Sequence, residues 1–294
     1  MDNRPDRKKS RQEVKTADQS AYDFLINRKI METYNSDITV TVLGSGTCVP
    51  SLARSSCSVL AETGGSKILI DCGPGTMRRL LENGTEIFDI SHLLLSHFHP
   101  DHTGELAAFL FANKYPDGNR RKRPLSIIGG KGISAFYAGL KKVFGSWIDL
   151  EPNRLNITEL AGTKSDIKID GIMLESVHVE HNEESLAFRI TGNEGCSVVY
   201  SGDTDFCDSL IDIARCTDLF ICESALPDEL KVKGHLTPSV AGEIAARAKV
   251  KKLLLTHFYP ECDKIDIELQ CRKTYSGPLV LAVDLMKIYL APTI

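Results

Sequence analysis

The run Leu93-Leu94-Leu95-Ser96-His97-Phe98-His99-Pro100-Asp101-His102 constrains this chain more than any other segment. Ile90 to Ser96 is apolar and of strand length, while Leu106, Phe109 and Leu110 put a helical stripe into Thr103 to Asn113. The spacing predicts a buried strand, a short junction and a helix. Three imidazoles and a carboxylate crowd the six residues of that junction. A lone histidine on an apolar face is commonly a satisfied core residue. His97, His99, Asp101 and His102 together are a donor set for metal, and packed this closely they suit two ions better than one.

The chain has 294 residues, 42% of them hydrophobic, enough for one large α/β domain or two small ones. A net charge of −4 supplies no general attraction to nucleic acid or to an anionic membrane. No apolar run approaches the length that spans a bilayer, and the polar start, Asp2 to Lys9, lacks the apolar stretch of a signal peptide. The nine cysteines show no CxxC spacing, and Cys72 and Cys222 fall in predicted buried strands, which fits reduced thiols in a cytoplasmic protein.

Residues 1–36 are charged, with weak helical patterning through Ala21, Phe24, Leu25, Ile30 and Met31. They read as an extension, partly disordered or docked as a helix, ahead of a domain over residues 37–294. Predicted strands cover residues 37–43, 56–61, 67–71, 124–128, 156–160, 171–178, 185–191, 196–201, 218–222 and 252–256. Predicted helices cover 76–82, 132–144, 208–215 and 238–248. Two strand-rich halves, each closing with helices, imply two sheets face to face with helices outside: a four-layer αβ/βα sandwich. No sequence repeat is evident. Arg120-Arg121-Lys122-Arg123 reads first as a solvated loop and second as a rim attracting phosphate.

His181, Asp203 (in Tyr200-Ser201-Gly202-Asp203-Thr204) and His257 (in Leu253-Leu254-Leu255-Thr256-His257) each follow a predicted apolar strand, where a side chain can reach a shared cleft. With Gly44-Ser45-Gly46-Thr47, Asp71-Cys72-Gly73-Pro74-Gly75-Thr76 and the HxHxDH run, these motifs resemble the metallo-β-lactamase superfamily, and within it the ribonuclease Z-like branch. They occur in the family's order over residues 40–260.

The resemblance implies that His97, His99 and His181 hold one metal, Asp101, His102 and His257 a second, and that Asp203 bridges both. Imidazole and carboxylate without thiolate favour zinc and also suit manganese or iron(II). Such a pair of ions supplies hydroxide near neutral pH. His178 competes with His181; as strand residues three apart they would face opposite sides, and His181 keeps the family's spacing to Ser185-Leu186-Ala187-Phe188-Arg189. His235, in Gly234-His235-Leu236-Thr237-Pro238, reads either as a helix-entry residue, with Thr237 as cap, or, by resemblance, as the group assisting the leaving oxygen. Asp101 would orient or deprotonate the attacking water. His92 reads as structural, and Asp71 as the acceptor holding a ring nitrogen of a ligating histidine.

Short ribonuclease Z enzymes carry a tRNA-clamping arm between the residues matching His181 and Asp203. Here 21 residues separate these two, enough for a hairpin. The function implied is therefore metal-dependent hydrolysis of a small phosphodiester, with tRNA and membranes not expected as partners and a homodimer left open. The alternatives are a lactone or thioester hydrolase on the same centre and a ribonuclease Z-type tRNA 3′-endonuclease. Diiron oxygen or nitric-oxide reductases carry Glu where this chain has His99, and a metal-free binding scaffold would not keep all the ligand positions filled.

Overall fold

The computed structural model describes residues 36–115, 121–160 and 162–292. The extension expected over residues 1–36 lies outside these, apart from Ser36. β1 (Ile38–Gly44), β2 (Ser58–Thr63) and β3 (Ser66–Ile70) form an antiparallel meander. Its second turn is Gly64-Gly65, both at positive φ (57° and 79°), the left-handed pair that a two-residue hairpin needs. α1 (Thr76–Glu82) and β4 (His92–Leu95) follow, then the histidine junction, which runs into α2 (Pro100–Thr103) and α3 (Leu106–Lys114). β5 (Leu125–Gly129), α4 (Ile133–Phe144) and β6 (Leu155–Glu159) complete the first half. A second meander, β7 (Lys164–Ile169), β8 (Ile172–His178), β9 (Leu186–Thr191) and β10 (Ser197–Tyr200), opens the second half. α5 (Asp208–Ala214), β11 (Leu219–Glu223), α6 (Pro238–Ala248), β12 (Leu253–Thr256), α7 (Ile267–Arg272), β13 (Leu279–Leu281) and β14 (Met286–Leu290) follow.

The strands form two seven-stranded sheets, ordered β14-β1-β2-β3-β4-β5-β6 and β13-β12-β11-β10-β9-β8-β7. In each sheet the pairing is antiparallel through the meander and parallel beyond it, from β3 to β6 in one and from β10 to β13 in the other. The expected four-layer sandwich is the observed fold. Alternation within strands feeds two separate cores. Val40, Val42, Val59, Ile68, Ile70 and Leu94 point between the sheets towards Leu174, Phe188 and Ile190, whereas Leu43, Leu60, Leu69, Leu93 and Leu95 pack on the helix side against Leu106, Phe109 and Ile133. β4 is buried on both faces, which is why Leu93-Leu94-Leu95 is continuously apolar.

Four elements were not expected: β7, α7, β13 and β14. β7 (Lys-Ser-Asp-Ile-Lys-Ile) is an edge strand whose alternate residues are exposed, so charge masks its strand character. The helix predicted over 103–113 is broken at Gly104: Glu105 N donates to the Cys72 carbonyl rather than along the helix, a tertiary bond overriding local propensity.

The solvated-loop reading of the basic run agrees with the exposed Lys122 and Arg123 but needs correction at Arg121; Arg120 lies outside the described residues. Arg121 is buried; its guanidinium donates to the carbonyls of Ile90 (2.8 Å) and Ile87 (2.8 Å) and to Asn113 Oδ1 (2.7 Å). Burial pushes this guanidinium down to about 10. The phosphate-rim reading fails on position: Lys122 and Arg123 precede β5, which runs parallel to β4 in the register His92↔Ser126, so they lie at the end of the strands opposite His97. His92, at that same end, sits with Nε2 2.9 Å from Asp170 Oδ2 and ties the sheets together, consistent with a structural role. Among the described residues the cysteines are free, and no helix is long and apolar enough to cross a membrane.

Candidate metal centre

The residues of the site emerge from the C-terminal ends of strands in both sheets, where strand direction aims the following loops at one edge. β4 leads to His97; Pro100 at the first position of α2 then sets Asp101 and His102 on one helical turn. β8 leads to His181, β10 to Asp203 and β12 to His257. Asp71 after β3 and His257 after β12 both adopt left-handed backbone, φ 61° and 63°. For non-glycine residues that conformation costs of order 1–3 kcal/mol, held here by the surrounding sheet ends.

The loops converge on two ligand groups whose donor atoms lie within 4.8 Å of one another, His97, His99, His181 and Asp203, and Asp101, His102 and His257; a third group at the same spacing is Asp203, His235 and His257. Asp203 joins them. Its Oδ1 is 3.2 Å from His102 Nε2 and 3.4 Å from His257 Nε2, and its Oδ2 is 3.6 Å from His97 Nε2. Asp101 Oδ2 lies 3.5 Å from His257 Nε2. His97 Nε2, His102 Nε2, both ring nitrogens of His257 and Asp203 Oδ1 are buried without a hydrogen-bond partner. Buried polar atoms are almost always satisfied, so unpaired donors converging on one volume fit divalent cations. No thiol belongs to either group.

The electrostatics of the imidazoles divide: burial opposes charge on His102, but Asp203 and Asp71 outweigh it and hold His102 well above the ordinary histidine range. Burial, reinforced by neighbouring imidazoles, pushes His97 and His99 below the ordinary histidine range and so favours the neutral, ligating form. Asp203 would be raised by its burial, but His102, His257 and His97 outweigh that and hold it well below the usual carboxylate range. Asp101 is likewise lowered, against its burial, by His257 and His102.

The outer nitrogens are fixed by the fold. Asp71 is fully buried and accepts from Ser96 N, Ser96 Oγ and Tyr200 Oη, each at 2.8 Å; its Oδ2 also lies 2.7 Å from His102 Nδ1. Asp71 already accepts from three donors, so His102 Nδ1 carries a proton towards it and Nε2 is turned to Asp203. His181 Nδ1 is 2.8 Å from the Gly234 carbonyl, which leaves its Nε2 towards the cluster, 3.2 Å from His99 Nδ1. His178 Nε2 is spent on the Asn182 carbonyl at 3.2 Å. The structure places His181 in the cluster and His178 outside it, and strand alternation is not the reason, because β8 ends at His178 and His181 lies in the loop beyond it.

His235 stands beside the cluster. Its Nδ1 is 3.1 Å from Glu223 Oε1 and 3.8 Å from Asp203 Oδ2, and its ring stacks on that of His257 at 5.6 Å. Burial opposes its charge, but Glu223, Asp203 and Asp101 push it up to about 9. Thr237 occupies the N-cap of α6 without capping through its side chain; Asp228 Oδ1 accepts from Ser239 N instead, at 3.1 Å.

Glu223 escaped the sequence reading. Its signal was an acid closing the apolar strand Leu219-Phe220-Ile221-Cys222, where solvent cannot satisfy it. It is 1% exposed and holds Thr204 N (2.8 Å) as well as His235. Tyr200 and Asp205 were missed as well, and nothing in the local pattern marks them.

A cavity of about 830 Å³ opens beside the cluster, lined by His181, Asn182, Phe206 and Lys233 among others. The span from His181 to Asp203 is taken up by β9 and β10, joined by a turn at residues 192–196.

Residues 66–258 match the β-lactamase superfamily domain. The chain is 31% identical over 245 residues to ribonuclease Z of Mycobacterium bovis, covering 76% of this chain and 86% of that one. Its fold is similar to the metallo-β-lactamase fold protein YhfI of Bacillus subtilis (TM-score 0.72, 22% identity, 85% of this chain and 99% of that chain). It is also similar to a diphosphatase of the PhnP family (TM-score 0.65, 22% identity, 85% and 97%). With a match over most of the folded domain and a donor cluster fit for divalent metal, the chain is a hydrolase of the metallo-β-lactamase superfamily and belongs to its ribonuclease Z-like branch.

Proposed function

We propose that this protein is a dinuclear metal-dependent phosphodiesterase acting on a small phosphodiester. The observation that carries this reading is His235, held by the buried Glu223 at 3.1 Å and facing the ligand cluster. Protonation of a departing alkoxide is needed at a phosphodiester with a poor leaving group, and an imidazole held by Glu223 beside the cluster is placed to supply that proton.

His97, His99 and His181 would hold one ion and Asp101, His102 and His257 the other, with Asp203 shared. When bound, the ions would supply Lewis acidity and the activation of a water nucleophile near neutral pH. Zinc is favoured by the imidazole and carboxylate donors; manganese or iron(II) also suits them. Asp101, kept ionised by His257 and His102, would accept a hydrogen bond from the attacking water and so orient it. His235 donates from its ring to the leaving oxygen, and Glu223 keeps the imidazolium in place.

Substrate size is inferred from two features. The adjoining cavity, about 830 Å³, is in the range that encloses small molecules. The β9–β10 hairpin has a turn of five residues where an arm would have to grow. Kinship with ribonuclease Z favours tRNA 3′-processing as the second reading. Protein reconstituted with zinc or manganese should hydrolyse bis-p-nitrophenyl phosphate well above a thioester and a lactone. Preference for either carbonyl substrate would overturn the phosphodiester assignment while leaving the metal centre intact.

A further inference from the structure

The loop bearing His235 is exposed, with Leu230 and Val232 47% and 44% accessible, yet its last residue before His235 is tightly tied. Three hydrogen bonds close a ring. Asp205 N donates to the Glu180 carbonyl at 2.7 Å, His181 Nδ1 donates to the Gly234 carbonyl at 2.8 Å, and Gly234 N donates to Asp205 Oδ2 at 3.0 Å. Lys231 Nζ adds a bidentate ion pair to Asp205, 2.9 Å to each oxygen. The ring joins the loop of His181, the loop of Asp203 and the loop of His235. Gly234 has φ 86°, and a Cβ there would lie 3.1 Å from His181 Nδ1, so that corner admits only glycine without strain.

We propose that Asp205, with Lys231, is the positioning residue of His235: it sets the backbone of the His235 loop against the metal-ligand loops, while Glu223 orients the ring. The inference rests on the proposed role of His235. Its physical basis is that Gly234 is adjacent to His235, so freeing Gly234 N lets the imidazole drift from the leaving oxygen. A displacement of about 1 Å can cost on the order of 10²-fold in rate. Asp205 itself offers no atom to either ligand group; the one ligand its loss reaches is His181, whose Nδ1 meets the Gly234 carbonyl.

The test uses the full chain loaded with zinc or manganese and a series of aryl phosphodiesters of graded leaving-group pKa. Asp205→Ala should keep its metal content and KM. Its kcat should fall about 10- to 100-fold for poor leaving groups and far less for p-nitrophenolate, steepening the leaving-group dependence as His235→Ala does. Asp205→Asn, which keeps an acceptor for Gly234 N, should recover most of the loss, and the double variant Asp205→Ala/His235→Ala should be no worse than His235→Ala alone. If His235→Ala shows the leaving-group effect but Asp205→Ala does not, or if the two add, the positioning role is wrong and the proposed function stands. If His235→Ala has no effect, the acid role fails and this inference with it. Loss of metal from Asp205→Ala, or equal loss on every substrate, would also overturn the positioning role.

Discussion

At the residue scale, the centre depends as much on the groups that hold ligands as on the ligands. Asp71 collects hydrogen bonds from Ser96, Tyr200 and His102, reaching from β3 across to β10 of the opposite sheet. Asp71→Ala should leave every donor in place but free the His102 ring, lowering metal affinity about 10- to 100-fold, as measured by competition with a chelating dye. Unchanged affinity would mean that packing alone orients His102. Asp203→Ala should be harsher than His99→Ala, since Asp203 approaches donors of both groups. Elemental analysis after reconstitution should show close to two ions in the parent protein and the greater deficit in Asp203→Ala; full retention there would remove Asp203 from its shared position.

At the element scale, α6 carries the sequence after His235 and begins without a cap from its own Thr237. Asp228 supplies it from the preceding loop, through Ser239 N. Burial tends to raise the Asp228 carboxyl, but the Ser239 amide and hydroxyl and Lys273 lower it below its ordinary value. A depressed carboxyl stabilises the fold above its unfolded pKa of about 3.9, and that contribution disappears as pH falls through the lower folded value. Asp228→Ala should cost about 1 kcal/mol at neutral pH, a Tm decrease of roughly 2–4 °C. Measured in acid, below the folded pKa, the difference should shrink. A constant difference from pH 7 to pH 2 would show that the charged carboxylate is not the cap. Arg121 is the corresponding anchor in the first half: Arg121→Ala strands the carbonyls of Ile87 and Ile90 and should cost about 3 kcal/mol in a denaturant titration.

At the scale of the whole molecule, the two halves repeat one topology, a meander followed by parallel strands, with β14 returning from the second half to the edge of the first sheet. The site lies where the C-terminal ends of both sheets meet, so cations bound there would staple the halves together. Zinc at 100 times its dissociation constant should add about 2.7 kcal/mol of stability, and a chelator should reverse the resulting Tm rise. The same architecture bears on substrate size: β9 and β10 are joined by a short turn, and Lys122 and Arg123 lie at the end of the strands away from the site. Precursor tRNA should be cleaved poorly beside a small aryl phosphodiester. Efficient, salt-sensitive removal of a 3′ trailer would favour the second reading.

How much of this was legible in the chain follows from the range of the forces involved. Strand and helix periodicity, the glycine turns and the donors in the HxHxDH run are local, and they led to the layered fold and to the candidate ligands by number. The edge strand β7 was hidden because its exposed face carries charge, and β14 because its partner β1 is more than 240 residues away. Arg121 resembled a solvated cation until the carbonyls of Ile87 and Ile90 came within 2.8 Å. Tyr200 and Asp205 have no local signature, and Glu223 only its place at the end of an apolar strand, because each acts on a residue brought near only by sheet packing: Asp71, Gly234 and His235. The sequence by itself determined which atoms could bind metal and the layers that would carry them. Only the tertiary structure decided which partner each ring nitrogen, carboxylate and loop amide would meet, since those bonds join segments far apart in the chain.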